Sequence, residues 1–120
     1  MKYMLLIYAN QETFDAWGPE EHQKAVDETE ALHADLRASG EFVGAYGVAD
    51  QENAKVVTVR DGVRVVTDGP YIETKEYLGS FTIVDCENLE RALEIAALNP
   101  AAKGIQVEVR PIMHESAPDV

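Results

Sequence analysis

Cysteine occurs once in the 120 residues, tryptophan once and histidine three times. A lone thiol, Cys86, excludes an internal disulfide and any zinc site built of cysteines alone, and it suits a buried thiol in a reducing compartment. Positive charge is scarce as well: 10 Lys and Arg stand against 22 Asp and Glu, for a formal charge of −12. Such a field repels phosphate backbones and anionic membrane surfaces. The cations, among them Lys24, Arg37, Arg60, Arg91 and Arg110, are scattered rather than gathered in a stripe, so no nucleic-acid partner is expected. Long apolar runs are missing too. The apolar run within residues 1–8 is far too short to span a bilayer, and Asn10-Gln11-Glu12 stands where the cleavage site of a secretion signal belongs. The expectation is a cytoplasmic protein without membrane contact.

Several chemical fingerprints are also absent. Gly40, Gly44 and Gly47 do not follow a strand and open a helix, so they make neither a phosphate loop nor a dinucleotide fingerprint, and there is no nucleophile elbow. The histidines and the cysteine do not fall at zinc-ligand spacing. Glu30-x-x-His33 is half of a di-iron motif whose second copy is missing. Neither metal nor cofactor is expected.

What is present reads as one α+β domain over residues 1–113, with 114–120 as a flexible tail. Residues 3–9 form a first strand whose two faces, Tyr3-Leu5-Ile7 and Met4-Leu6-Tyr8, are both apolar. Pro19-Glu20-Glu21 opens a helix of about 20 residues whose inner stripe is Ala25, Val26, Thr29, Leu32 and Leu36; Gly40 ends it. Residues 42–48 make a second strand in which Gly44 and Gly47 permit close approach by a ligand or another backbone. Asp61-Gly62 between two valine-rich runs predicts a hairpin with Val57, Val59, Arg64 and Val66 on one face. Its tip should reach solvent while its base packs. Residues 79–84 form a further strand, and Asn88 caps a second helix with Leu89, Ala92, Leu93 and Ala96 inward. That helix stops at Asn99-Pro100, and Ile105, Val107 and Val109 alternate with polar residues in the last strand.

With the hairpin set aside the order is βαββαβ, a ferredoxin-like plan with both helices on one face of a four-stranded antiparallel sheet. That plan leaves one sheet face bare. An apolar outer face on the first strand therefore predicts a homodimer in which two sheets face each other.

The densest group of titratable side chains lies in "TDGPYIETKEYLGSF", residues 67–81. Read structurally, Gly69 supplies an unusual backbone angle, Asp68 bonds its own backbone, and Glu73, Lys75 and Glu76 form a solvated surface. Read functionally, Asp68 or Glu73 beside Lys75 forms an acid–base group at the mouth of a cleft. His22 and His33 on the first helix are further acid–base candidates, against the plainer reading of helix-surface residues. Tyr8, Tyr46, Tyr71 and Tyr77 are candidates to line a pocket for a small ligand, or else serve core and dimer packing.

"DGPYIETKEYLGSF", with "MKYMLLIYA" before it and "VEVRP" after, resembles the DGPF-domain proteins of the YCII-related family over nearly the whole chain, with Tyr71 where the family has Phe. The resemblance implies ferredoxin-like subunits paired as a dimeric α/β barrel. It also implies a possible setting beside genes of extracytoplasmic-function sigma factors. Relatives in the wider group are proposed to use a His-Asp pair near the first helix, one of them to dehydrochlorinate a hydroxylated ring. Counted back from Gly40, the pair falls near Thr29 and Ala38, and neither is a general base. Two functions stay open: cofactor-free acid–base chemistry on a small polar or hydroxylated substrate, or a non-catalytic accessory or ligand-sensing module.

Overall fold

The computed structural model describes residues 1–69 and 76–118. Six strands and four helices follow in chain order: β1 (Lys2–Asn10), α1 (Gln11–Ala16), α2 (Pro19–Ser39), β2 (Phe42–Gly47), β3 (Lys55–Arg60), β4 (Val63–Asp68), β5 (Glu76–Asp85), α3 (Leu89–Leu98), α4 (Ala101–Gly104) and β6 (Val107–Pro111). Strands β2, β5, β1 and β6 lie side by side in that order, every pair antiparallel. Helix α2 returns from β1 to β2 and α3 from β5 to β6, which is the ferredoxin-like α+β plan. Strands β3 and β4 form a separate two-stranded sheet between β2 and β5. No described helix is long and apolar enough to cross a membrane.

Local chemistry sets the element ends. Pro19 opens α2, and the Glu21 carboxylate accepts from the Gly18 N–H; glycine has no side chain to return the bond. Gly40 closes it at φ 81°, the left-handed conformation that costs glycine nothing. Asn88 Oδ1 accepts from Arg91 N–H at 3.0 Å and starts α3. Asp61 and Gly62, at φ 50° and 76°, both adopt the positive angles that match a two-residue turn to strand twist.

The core lies under the helices at one end of the sheet. Tyr3, Leu5 and Val84 meet Leu32 and Leu36 from α2 and Ala92, Ile95 and Ala96 from α3, with Phe42, Val107 and Val109 at the margin. Leu36, Ile95 and Val84 are the largest side chains with essentially no exposure. Each contributes about 1.5–3 kcal/mol by leaving water. On the opposite sheet face Met4, Leu6, Phe81 and Ile83 are only half-buried.

Several expectations need correction. Val26 is 50% exposed, and α2 buries only Leu32 and Leu36, because the turns carrying Ala25 and Thr29 stand over a cavity rather than a core. In α3 the buried stripe is Ala92, Ile95 and Ala96, the three- and four-residue steps that face the sheet; Leu89 and Leu93 sit at its flank, exposed. Gly69 is not in the left-handed region, where the only described glycines are Gly40 and Gly62. It is required by space: a Cβ there would lie 2.2 Å from Val56 Cγ2. Asp68 pairs with Lys55, its cross-strand neighbour. The hairpin register is as expected, Val57 opposite Val66 and Val59 opposite Arg64, with Val57 and Val59 outward to solvent. Helices α1 and α4, and a 3-10 turn at Gln51–Asn53, were not anticipated.

Candidate functional site: a cavity between helix and sheet

Where the core ends, the sheet surface under the helices changes from large to small side chains. Leu5 is registered with Thr82, and the next inward pair is Ile7 with Ser80. Across β2, Ala45 is registered with Thr82. Inward-facing residues alternate along a strand, so Ala45, Ser80 and Thr82 form a low floor beside the tall Tyr3, Leu5 and Val84. Above it, Ala25, Thr29 and His33 follow one another at four-residue steps on one side of α2. Small residues below and above leave an open cavity of about 430 Å³. This is within the usual range of small-molecule sites.

The bends in the chain close its flanks. After Ile7 the pairing with β5 slips by one residue, Gly79 being the extra one, and Tyr8 pairs with Leu78. Such a bulge re-aims the side chains that follow, and Tyr8, Ala9 and Asn10 border the cavity. Asn10 Oδ1 accepts from Thr13 N–H at 3.2 Å and starts α1, which brings Thr13, Phe14 and Trp17 to the rim. Opposite, Asn99 and Pro100 end α3, and Gly104 lies beneath Trp17, where an added Cβ would find the indole at 3.8 Å. No Asp, Glu, Lys or Arg borders the cavity among the described residues.

His33 is the imidazole in this lining. Its ring packs on Phe42 with centroids 5.1 Å apart, and the Arg37 guanidinium carbon lies 4.7 Å from the same Phe42 centroid. Burial, reinforced by the charge of Arg37 and opposed by that of Glu30, pushes the His33 pKa below the ordinary 6.5. Near neutral pH the ring is therefore uncharged, with one nitrogen free to accept a proton. Thr29, one turn earlier, donates its hydroxyl to Ala25 O at 2.8 Å.

Of the residues singled out in the sequence, the structure brings Tyr8, His33 and Tyr46 to this cavity. The Tyr46 ring itself leans on Phe81 at 5.2 Å, on the outer face of the sheet. His22 is elsewhere: its ring packs between Phe14 at 4.3 Å and Trp17 at 5.5 Å, wedging α1 against α2. Asp68 is at the exposed end of the hairpin, ion-paired with Lys55, and does not border the cavity. Tyr77 lines a second cavity beside Val56 and Glu76, and its hydroxyl donates to Gln11 Oε1 at 3.4 Å. Tyr71, Glu73 and Lys75 lie outside the described residues. Of the two strand glycines, Gly47 borders the cavity and Gly44 lies against the Tyr46 ring. Among the described residues no three His, Cys, Asp or Glu side chains are grouped to hold a metal ion.

Sequence reasoning missed Ser80, Thr82 and Asn99. The available signal was the run of small residues at inward strand positions, which reads as weak packing until the opposing helix is known to be small-faced as well.

An uncharacterized protein of Rhizobium meliloti (strain 1021), R00369, is 29% identical over 116 residues, covering 93% of this chain and 92% of that one. Among solved structures, the 5-chloro-2-hydroxyhydroquinone dehydrochlorinase TftG of Burkholderia phenoliruptrix AC1100, in complex with 2,5-dihydroxybenzoquinone, aligns over 96% of each chain at 15% identity with a TM-score of 0.48. The sequence profile of the YCII-related domain matches residues 1–116, and the chain belongs to that family.

Proposed function

We propose that the protein binds a small, uncharged polar molecule in the cavity between α2 and the sheet, and moves a proton on it with His33. The observation that carries this reading is a cavity whose lining holds the His33 imidazole, its pKa lowered by burial, and, among the described residues, no charged side chain. A fixed ligand charge would enter unpaired, which is costly in a partly dry site. A neutral His33 can take a proton from an acidic O–H or C–H of the ligand and return it later, and Tyr8 borders the same space. Among the described residues no carboxylate borders the cavity beside His33 to orient it. That favours a second reading, a ligand-binding module without turnover.

The test is a thermal-shift screen of neutral hydroxylated and carbonyl compounds on the wild type, His33→Gln and Ala45→Leu. A bound ligand raises Tm by mass action. Stabilisation that is lost when Ala45→Leu fills the floor supports the cavity as the site. Turnover that vanishes in His33→Gln while binding persists supports catalysis, and binding without turnover supports the sensing module. Absence of any stabilising compound, or a shift indifferent to Ala45→Leu, overturns the site.

Two copies are proposed to pair through the outer sheet face, where Met4, Leu6, Phe81 and Ile83 stay half-covered. Sedimentation should give a dimer at micromolar concentration, and Leu6→Glu should give a monomer. A monomeric wild type overturns the pairing.

A further inference from the structure

Thr82 and Asn99 are the buried polar residues of the described chain, at 4% and 7% exposure, and both border the cavity. They reach it from different elements, Thr82 from the middle of β5 and Asn99 from the end of α3. Buried polar groups normally find partners. The Asn99 Oδ1 has one: it accepts from Ala101 N–H at 2.9 Å, holding the turn into α4. That bond fixes the orientation of the amide, because the reverse placement would set its NH2 against another N–H. Asn99 Nδ2 and Thr82 Oγ1 have no hydrogen-bond partner among the described residues, and neither atom is sealed from solvent. The open space that both residues border is the cavity.

We infer that Asn99 and Thr82 select the ligand, recognising an uncharged molecule by a carbonyl or hydroxyl oxygen. The inference rests on the cavity being the binding site and adds which polar groups read the ligand there. The Asn99 Nδ2 donates while its oxygen already holds the Ala101 N–H, and the Thr82 hydroxyl can donate or accept. Oxygens on the ligand can satisfy these groups, whereas an apolar ligand leaves two buried polar groups unpaired, the costlier outcome. His33 is on the α2 side of the same space. A ligand anchored by Thr82 and Asn99 therefore presents its remaining edge toward the imidazole, and the pair acts in positioning rather than in proton transfer.

A matched series of one-ring probes tests this: toluene, phenol, acetophenone and benzoate, titrated into ¹⁵N-labelled protein while the Asn99 side-chain NH2 resonances are followed. Acetophenone and phenol are expected to bind about tenfold or more tightly than toluene, with benzoate weakest, and acetophenone is expected to move the Asn99 NH2 signals. Asn99→Asp keeps the acceptor for Ala101 N–H but removes the donor, so acetophenone should lose that advantage while toluene binds as before. Thr82→Val should weaken acetophenone and phenol, and Thr82→Ser should restore them; this pair decides the matter if Asn99→Asp does not fold. Equal affinity of toluene and acetophenone, or Asn99 signals that answer to no probe because water alone occupies the amide, overturns the inference while leaving the cavity intact. Failure of all four probes to bind, with Ala45→Leu behaving as wild type, points instead to failure of the cavity itself.

Discussion

The guanidinium of Arg91 grips the carboxylate of Glu41 at two points, Nε donating to Oε2 at 2.9 Å and Nη2 to Oε1 at 2.8 Å. Fifty positions apart in sequence, the two residues tie the first turn of α3 to the loop that leaves α2. Ser39 Oγ donates to the same carboxylate at 2.8 Å, and Glu41 keeps only 15% of its side chain exposed. The paired hydrogen bonds from Arg91 hold the Glu41 pKa below the usual 4.5, against the opposing effect of burial.

This pair makes the fold sensitive to acid. A carboxylate whose pKa is depressed in the fold contributes stability above its unfolded value, here the ordinary 4.5, and loses it as pH falls through the folded value. Melting curves from pH 7 to pH 3 should show Glu41→Gln with a lower Tm at neutral pH, and the gap to wild type should close as pH drops below about 4.5. A gap that stays constant down to pH 3 contradicts the assignment.

His33 acts in a higher window and with its own sign. Its pKa is lowered in the fold, so on acidification the unfolded chain takes up the proton first and gains free energy relative to the native state. Wild-type Tm should therefore begin to fall as pH drops below about 6.5. His33→Gln should lack that part of the fall while retaining the loss below 4.5. The C2 proton of His33, followed by NMR, should titrate below the ordinary 6.5 of an imidazole.

A core isoleucine and a hairpin valine should answer differently to substitution. Ile95 has no exposure, and Ile95→Ala is expected to cost about 2–5 kcal/mol in chemical denaturation. Val59, 69% exposed on the hairpin, should tolerate Val59→Thr within about 0.5 kcal/mol. Equal losses at the two positions would mean that the hairpin is covered in solution.

Gly69 should be restored by a change in its neighbour. The 2.2 Å approach that a Cβ would make to Val56 Cγ2 predicts overpacking in Gly69→Ala, about 1–3 kcal/mol if the hairpin cannot shift. Trimming the neighbour in Gly69→Ala/Val56→Ala should return most of it, a coupling that a double-mutant cycle measures. Additive losses would show that the glycine is needed for its backbone after all.

Much of the architecture was legible in the chain because short-range chemistry decides it. Pro19 and Gly40 bracket α2, Asn88 and Pro100 bracket α3, and Asp61-Gly62 turns the hairpin, each through local backbone preferences that no distant contact overrides. The αβ order then leaves few ways to arrange four strands, and the ferredoxin-like order follows. The helix stripes were less legible: Val26, Leu89 and Leu93 are apolar and correctly spaced, but spacing alone cannot say which edge of a stripe meets the sheet.

The site was decided by tertiary structure. The charged connector drew attention because titratable residues adjacent in sequence are easy to see, yet Asp68 ends the exposed hairpin. The cavity is instead made of absences, small side chains on β2 and β5 meeting small side chains on α2, and a void has no local signature. Tyr8 and His33 were visible as residue types, but only the bulge after Ile7 and the phase of α2 bring them to one space. Thr82 and Asn99 were ordinary in sequence, a strand threonine and a helix-ending asparagine. Their burial, with hydrogen-bonding capacity left over, exists only where sheet and helices close over them. Residue order thus determined the elements and their sequence along the chain, through local backbone and solvation preferences. Long-range packing, through which volumes are left unfilled and which polar atoms go without a partner, determined where a ligand can enter.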